Sequence, residues 1–180
     1  HGSIFRFTIY QEAAPAASMR PAATFNEEIL LKRHNYGTER VRPNWIYPDA
    51  RVLIVDDMKV NQEILKERLH PWKVMTDTVG SGHKAIEAVQ KQSYQLILMD
   101  HMMPDMSGIE VEEQIQKITG VPAILITADD SDELDDHYQE YGFQALLHKP
   151  IDMTLFQNAL EILMPDTFRK SPEGRDAVQS

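Results

Sequence analysis

The stretch Gln95–Gly108, QLILMDHMMPDMSG, decides how the chain is read. Leu96, Ile97, Leu98 and Met99 form an unbroken apolar run that stops at Asp100 and is followed by Pro104, Ser107 and Gly108. An apolar run of this length bounded by turn residues suits a strand buried on both faces, as in a parallel sheet. Its carboxylate then emerges at the strand's C-terminal end, where open α/β sheets bind their ligands. Taken alone, Asp100 is better explained as a cap on the turn into the next helix.

Working outward, the pattern repeats. Upstream, Arg51–Val55 (RVLIV) reads as a buried strand ending in Asp56 and Asp57. A helix from Lys59 follows, with Val60 and Ile64, then Leu65 and Leu69, at i, i+4 spacing, and it stops at Pro71. Lys73–Val79 is a poorer strand suited to a sheet edge, and Gly80–Gly82 opens a helix carrying Ala85, Ile86 and Val89. Downstream, the spacing predicts a helix over Ile109–Ile118 with Val111, Ile115 and Ile118 on one face, and then the strand Pro122–Ala128, which carries Thr127 at its end. An acidic helix over Ser131–Tyr141 ends at Gly142, the residue a helix C-terminus favours. The strand Phe143–His148 runs into Lys149 and Pro150, and a last helix capped by Asp152 ends at Pro165. Five strands alternating with five helices through short connections predict a flavodoxin-like, doubly wound α/β fold with one parallel sheet in the order 2-1-3-4-5.

That domain occupies residues 50–165. Before it, residues 1–49 read as a strand (His1–Tyr10), an Ala/Pro linker (Gln11–Pro21), a short helix from Thr24 with capping-box spacing to Glu27, and an irregular lead-in that packs Trp45 on the domain. After it, residues 166–180 form a polar tail expected to fray. Hydrophobic residues at 42% and charged residues at 26% describe a globular chain. A net charge of −10 argues against binding to a nucleic-acid backbone. The chain has no cysteine, so thiolate metal sites are excluded and a cytoplasmic location is compatible. No apolar run is long enough to span a bilayer, so no membrane contact is expected of this segment.

Four strands end in a reactive polar residue: Asp56 and Asp57, Asp100, Thr127 and Lys149. In the expected order those strands are adjacent, and the residues line one edge of the sheet. Three carboxylates in one crevice raise one another's pKa unless a cation neutralises them. Oxygen-only ligands suit Mg2+ or Mn2+ rather than Zn2+. The added ammonium and hydroxyl are what a transferring phosphoryl group needs, so Asp100 reads as a phosphoryl acceptor.

With these residues in hand, residues 51–163 resemble the receiver domain of two-component response regulators. The match lies in Asp56-Asp57, in D-x-x-M-P-x-M-x-G from Asp100 to Gly108, in Thr127-Ala128 and in Lys149-Pro150. The resemblance implies a domain that catalyses its own aspartyl phosphorylation and dephosphorylation. In it, Asp57, Asp100 and the Met102 carbonyl would bind Mg2+ directly, Asp56 would act through water, and Thr127 and Lys149 would hold phosphoryl oxygens. A cis Lys149-Pro150 peptide is also implied. The implied partners are a histidine kinase or a histidine phosphotransfer protein, and a homodimer is compatible. His1–Tyr10 resembles the closing strand of a histidine kinase ATP-binding domain, which would make the parent a hybrid histidine kinase, although His1-Gly2-Ser3 also fits a tag remnant.

Two positions depart from the family pattern. Leu146 stands three residues before the lysine, where receivers often carry Tyr or Phe, so coupling to the outer face would use another route. Met102 and Asp129 occupy positions that tune phosphoryl lifetime. His34, His70, His83, His101, His137 and His148 show no metal-ligand spacing and read as surface or packing residues. The acidic run around the fourth helix is explained by its N-terminal dipole, with docking of a basic partner as the alternative. The rival to the phosphoacceptor is a phosphorylation-independent interaction module on the same fold, for which Leu146 speaks. A metal-dependent phosphatase acting on separate substrates is disfavoured, because no second acid/base group is evident.

Overall fold

A computed structural model describes residues 43–172. The expected strand over His1–Tyr10, the linker and the helix from Thr24 lie outside the described residues. Five strands, β1 (Arg51–Val55), β2 (Met75–Val79), β3 (Leu96–Asp100), β4 (Ala123–Thr127) and β5 (Ala145–His148), alternate with α1 (Lys59–Leu69), α2 (Gly82–Lys91), α3 (Gly108–Ile115), α4 (Asp132–His137) and α5 (Met153–Leu163). The sheet is parallel throughout in the order β2-β1-β3-β4-β5. That is the expected fold and strand order.

Side chains alternate between the two faces of each strand, and each face meets its own layer of helices. Val52, Ile54, Leu96, Leu98, Ile124 and Ile126 pack with Leu65 and Leu69 of α1 and with Phe156, Ala159 and Leu160 of α5. Trp72 closes that layer, edge-on to Phe156 at 5.9 Å. Leu53, Val55, Ile97, Met99 and Leu125 pack with Ala85 of α2, Val111 and Ile115 of α3 and Leu134 of α4. Burial on both sides explains why the central strands carry uninterrupted apolar runs, each such side chain contributing about 1.5–3 kcal/mol.

The helix faces depart from the expectation in three places. Val60 and Ile64 are 65% and 46% exposed, while α1 buries Gln62, Leu65 and Leu69. Gln62 can hold an inward position because its amide donates to the Asp56 and Val79 carbonyls, at 2.7 and 3.3 Å. Ile118 is also exposed, because α3 ends at Ile115 and the chain leaves the helical face. The acidic helix is shorter than Ser131–Tyr141, since regular helix stops at His137 and turns carry the chain to Gly142. Gly142 has φ +97°, and a Cβ there would overlap the Gln116 amide, whose Nε2 donates to the Gly142 carbonyl at 3.0 Å.

The flanks are better packed than expected. Ile46 and Lys170 form an antiparallel bridge with hydrogen bonds of 2.9 and 2.8 Å, and Ile46 and Tyr47 are buried. Trp45 stays at the surface beneath the Arg169 guanidinium, 5.2 Å from its ring centre. The expected fraying from residue 166 therefore does not apply to Asp166–Lys170, where a short 3-10 turn (Asp166–Phe168) precedes the bridge.

Glu112 is fully buried on α3, where Gln116 Nε2 approaches Oε1 at 3.4 Å and Oε2 finds no partner among the described residues. Burial pushes its carboxyl up to about 7. Because this value lies above that of the unfolded chain, the contribution to stability is complete at low pH and is lost as pH rises from about 4.5 through 7. Glu112→Gln removes that slope. In urea unfolding, the variant should match the parent at pH 4.5 and exceed it by up to about 3 kcal/mol at pH 8.

Candidate metal and phosphoryl site

In this strand order, the connections from the C-terminal ends of β1 and β3 diverge to opposite sides of the sheet and leave a crevice. Asp56 and Asp57 follow β1 and Asp100 ends β3, so all three enter it. One carboxylate oxygen from each lies within 4.8 Å of the others. Asp56 and Asp100 are buried and Asp57 is exposed, which places the cluster at the crevice mouth.

Lys149, directly after β5, reaches across the strand ends. Its Nζ donates to Asp100 Oδ1 at 2.6 Å and lies 3.5 Å from Asp56 Oδ2. The Lys149-Pro150 peptide is cis, as implied. Asp56 Oδ1 accepts the Met58 backbone N–H at 2.9 Å and the Asn61 amide at 3.1 Å, so the N-terminal end of α1 orients this carboxylate.

Burial raises the Asp100 pKa. Lys149 opposes that rise through its hydrogen bond and charge, and Asp56 and Asp57 add to it by repulsion. For Lys149, burial works against the charge, but the bond to Asp100 and the charges of Asp100 and Asp56 outweigh it and raise the pKa. One ammonium against three carboxylates leaves an excess of negative charge open to solvent, the environment a hard divalent cation neutralises.

The β3–α3 loop is fixed from several directions. Ser107 and Glu110 form a reciprocal capping box on α3. At Gly108 a Cβ would sit 2.3 Å from the Asp100 carbonyl oxygen, so the loop can fold back over the strand end only with glycine there. Asp105 accepts the Gly82 and His83 backbone N–H groups, and the His83 ring nitrogen Nδ1 lies 3.0 Å from it, tying the loop to the start of α2.

Of the residues singled out in the sequence, Asp56, Asp57, Asp100 and Lys149 converge. Thr127 is buried at the end of β4, and its Oγ1 accepts the Asp129 N–H at 3.0 Å and lies 3.2 Å from His101 Nδ1. The Met102 side chain is 70% exposed on the loop leaving β3. Besides His83, two more of the histidines read as surface or packing residues make specific contacts beside the strand ends. His101 meets Thr127, while His148 lies 2.9 Å from Asp135 on α4 and 3.3 Å from Asp130 on the β4–α4 loop. Asn61 and Gln62 also went unread. The one available signal was their position in the first turns after a carboxylate pair.

Comparison with known proteins agrees with this geometry. Residues 52–161 match the model of the response regulator receiver domain, and the chain belongs to that family. The autoinducer 2 sensor kinase/phosphatase LuxQ of Vibrio parahaemolyticus is 35% identical over 117 residues, covering 63% of this chain and 14% of LuxQ. The chain thus spans a small part of that relative. Among solved structures, the response regulator TrrA of Thermotoga maritima in complex with Mg2+ and BeF is 27% identical with a TM-score of 0.58, covering 64% of this chain and 99% of TrrA. The receiver domain of a sensor histidine kinase of Pseudomonas aeruginosa, with a magnesium ion in its active-site cleft, is 26% identical with a TM-score of 0.58, covering 63% and 96%.

Calorimetric titration with Mg2+ checks the charge balance. Asp57→Asn should weaken binding at least about tenfold, whereas Lys149→Ala should tighten it, because the ammonium competes with the cation for Asp100.

Proposed function

We propose that this domain takes a phosphoryl group from a phosphohistidine onto Asp100. The observation that carries the reading is the short Lys149–Asp100 contact inside a three-carboxylate cluster at the sheet's switch point. Lys149 engages Oδ1 of Asp100, which leaves Oδ2 to attack phosphorus. As the new P–O bond forms, the P–N bond of the donor breaks, and its electron pair returns to the imidazole ring. Burial and the neighbouring carboxylates make Asp100 more basic than an ordinary aspartate, which favours the attack. Lys149 then meets one phosphoryl oxygen and the Thr127 hydroxyl another.

Asp57, Asp100 and the Met102 carbonyl would hold Mg2+, or Mn2+ by the same ligand preference, with Asp56 acting through water. The cation supplies charge neutralisation of the transferring phosphoryl group. A donor protein would dock on α1. Met58, Val60 and Ile64 are exposed beside Lys59 and Arg68, and Met58 directly follows the acidic pair. That apolar strip fits a helix of a histidine kinase or histidine phosphotransfer protein, the phosphoryl-bearing histidine reaching over the crevice. The kinship with sensor kinases supports a parent of the hybrid histidine kinase type. No helix among the described residues is long and apolar enough to cross a membrane.

Intact mass after incubation with acetyl phosphate and Mg2+ tests the chemistry. One added phosphoryl group is expected, absent in Asp100→Asn and with a chelator. No gain in a folded sample would favour a phosphorylation-independent interaction module. Ile64→Glu tests the docking face, and should slow labelling from a phosphohistidine protein at least about tenfold while leaving labelling by acetyl phosphate unchanged.

A further inference from the structure

The Thr127 hydroxyl belongs to the groups that would hold a phosphoryl oxygen, yet its hydrogen bonds lead elsewhere. A hydroxyl has one proton and two lone pairs. The Asp129 N–H occupies one lone pair at 3.0 Å, and in the ring tautomer that carries its proton on Nε2, His101 Nδ1, 3.2 Å away, accepts the Thr127 O–H. His101 is well placed to keep that contact. Its backbone N–H donates to the Ile126 carbonyl at 2.9 Å, and its carbonyl accepts the Gly108 N–H at 2.8 Å, which pins the residue between β3, β4 and the start of α3. On β5, Leu146 is 8% exposed in the apolar layer with Leu134 and Phe143 and brings no polar atom to the threonine.

We propose that His101, with its ring proton on Nε2, is a positioning residue for phosphoryl transfer, holding the Thr127 hydroxyl in a resting orientation that a phosphoryl group on Asp100 must overcome. The inference rests on the phosphoacceptor reading of Asp100. A phosphoryl group on Asp100 would offer one oxygen to Lys149 and another to the Thr127 O–H. One proton cannot point at both a phosphoryl oxygen and Nδ1. Occupation of Asp100 therefore releases the His101 ring, which is partly exposed on the loop leaving β3. This gives the site a route to the surface that needs no aromatic side chain at position 146.

The test is the affinity of the whole chain for beryllofluoride in Mg2+, measured by calorimetry, alongside the rate of labelling by acetyl phosphate. His101→Phe keeps a ring and removes the nitrogen, and should tighten beryllofluoride binding about two- to tenfold, the range of one ordinary net hydrogen bond. His101→Ala should behave the same way if the bulk of Phe disturbs folding. His101→Asn places an amide atom where Nδ1 lies and should restore the parent affinity. In a Thr127→Ala background, replacing His101 should change nothing. Unchanged or weaker binding in both His101→Phe and His101→Ala, while the parent is labelled on Asp100, would overturn the inference alone. So would an equal gain in the Thr127→Ala background. A parent that neither binds beryllofluoride nor takes a phosphoryl group overturns the phosphoacceptor reading, and this inference with it.

Discussion

The structure depends on how negative charge is tolerated at the end of an apolar sheet. Asp56 and Asp100 are almost wholly withdrawn from water, with Asp57 beside them at the surface. At Asp100, burial and the charges of its two neighbours both act against ionisation, and neither is relieved by the strands themselves. The compensation comes from elements far apart in sequence: the Lys149 ammonium from beyond β5, and the Met58 N–H and Asn61 amide from the start of α1. Such an arrangement is costly unless every member is in place, which is why the fold and the chemistry are hard to separate here. The residual negative charge defines what the crevice attracts.

Much of this was legible in the sequence because each reactive residue ends a strand. The apolar runs RVLIV and LILM suit buried strands, and their abrupt stops at Asp56 and Asp100 mark the sheet edge. Thr127 ends β4 and Lys149 follows β5, and the meeting of Lys149 with the carboxylates follows from that strand order. The illegible parts are those that depend on distant partners. Gln62 looks like a surface residue until two carbonyls are brought to its amide, and its inward position turns Val60 and Ile64 outward. Spacing placed Leu65 and Leu69 correctly but added Val60 and Ile64 to the buried face of α1, because it has no way to count a satisfied polar side chain as part of the core. His101 and His148 carried no readable pattern, since their partners are 26 residues away in one case and 13 in the other. The flanks were misjudged for a related reason: a polar composition conceals the pairing of Ile46 with Lys170.

The β4–α4 loop is where the two overlooked histidines meet the machinery. His101 contacts Thr127 at the start of that loop, and His148 lies between Asp130 within it and Asp135 on α4. The acidic run is thus partly engaged by a ring projecting from the end of β5. Its remaining carboxylates favour the α4 N-terminus through the helix dipole, so both readings of that run draw on the same charges. A short α4 followed by turns has less regular hydrogen bonding than the other helices, and its position owes more to these side-chain contacts and to Leu134 than to its own backbone.

The Ile46–Lys170 bridge has a mechanical consequence. The parallel sheet sends every strand toward the acidic crevice, and α5 runs back the other way, so the bridge lies at the end remote from Asp100. The chain arriving before β1 and the chain departing after α5 are therefore clamped side by side, with Arg169 laid on Trp45 as a second fastening. Entry to and exit from the domain are therefore one place, on the side of the sheet opposite the carboxylates.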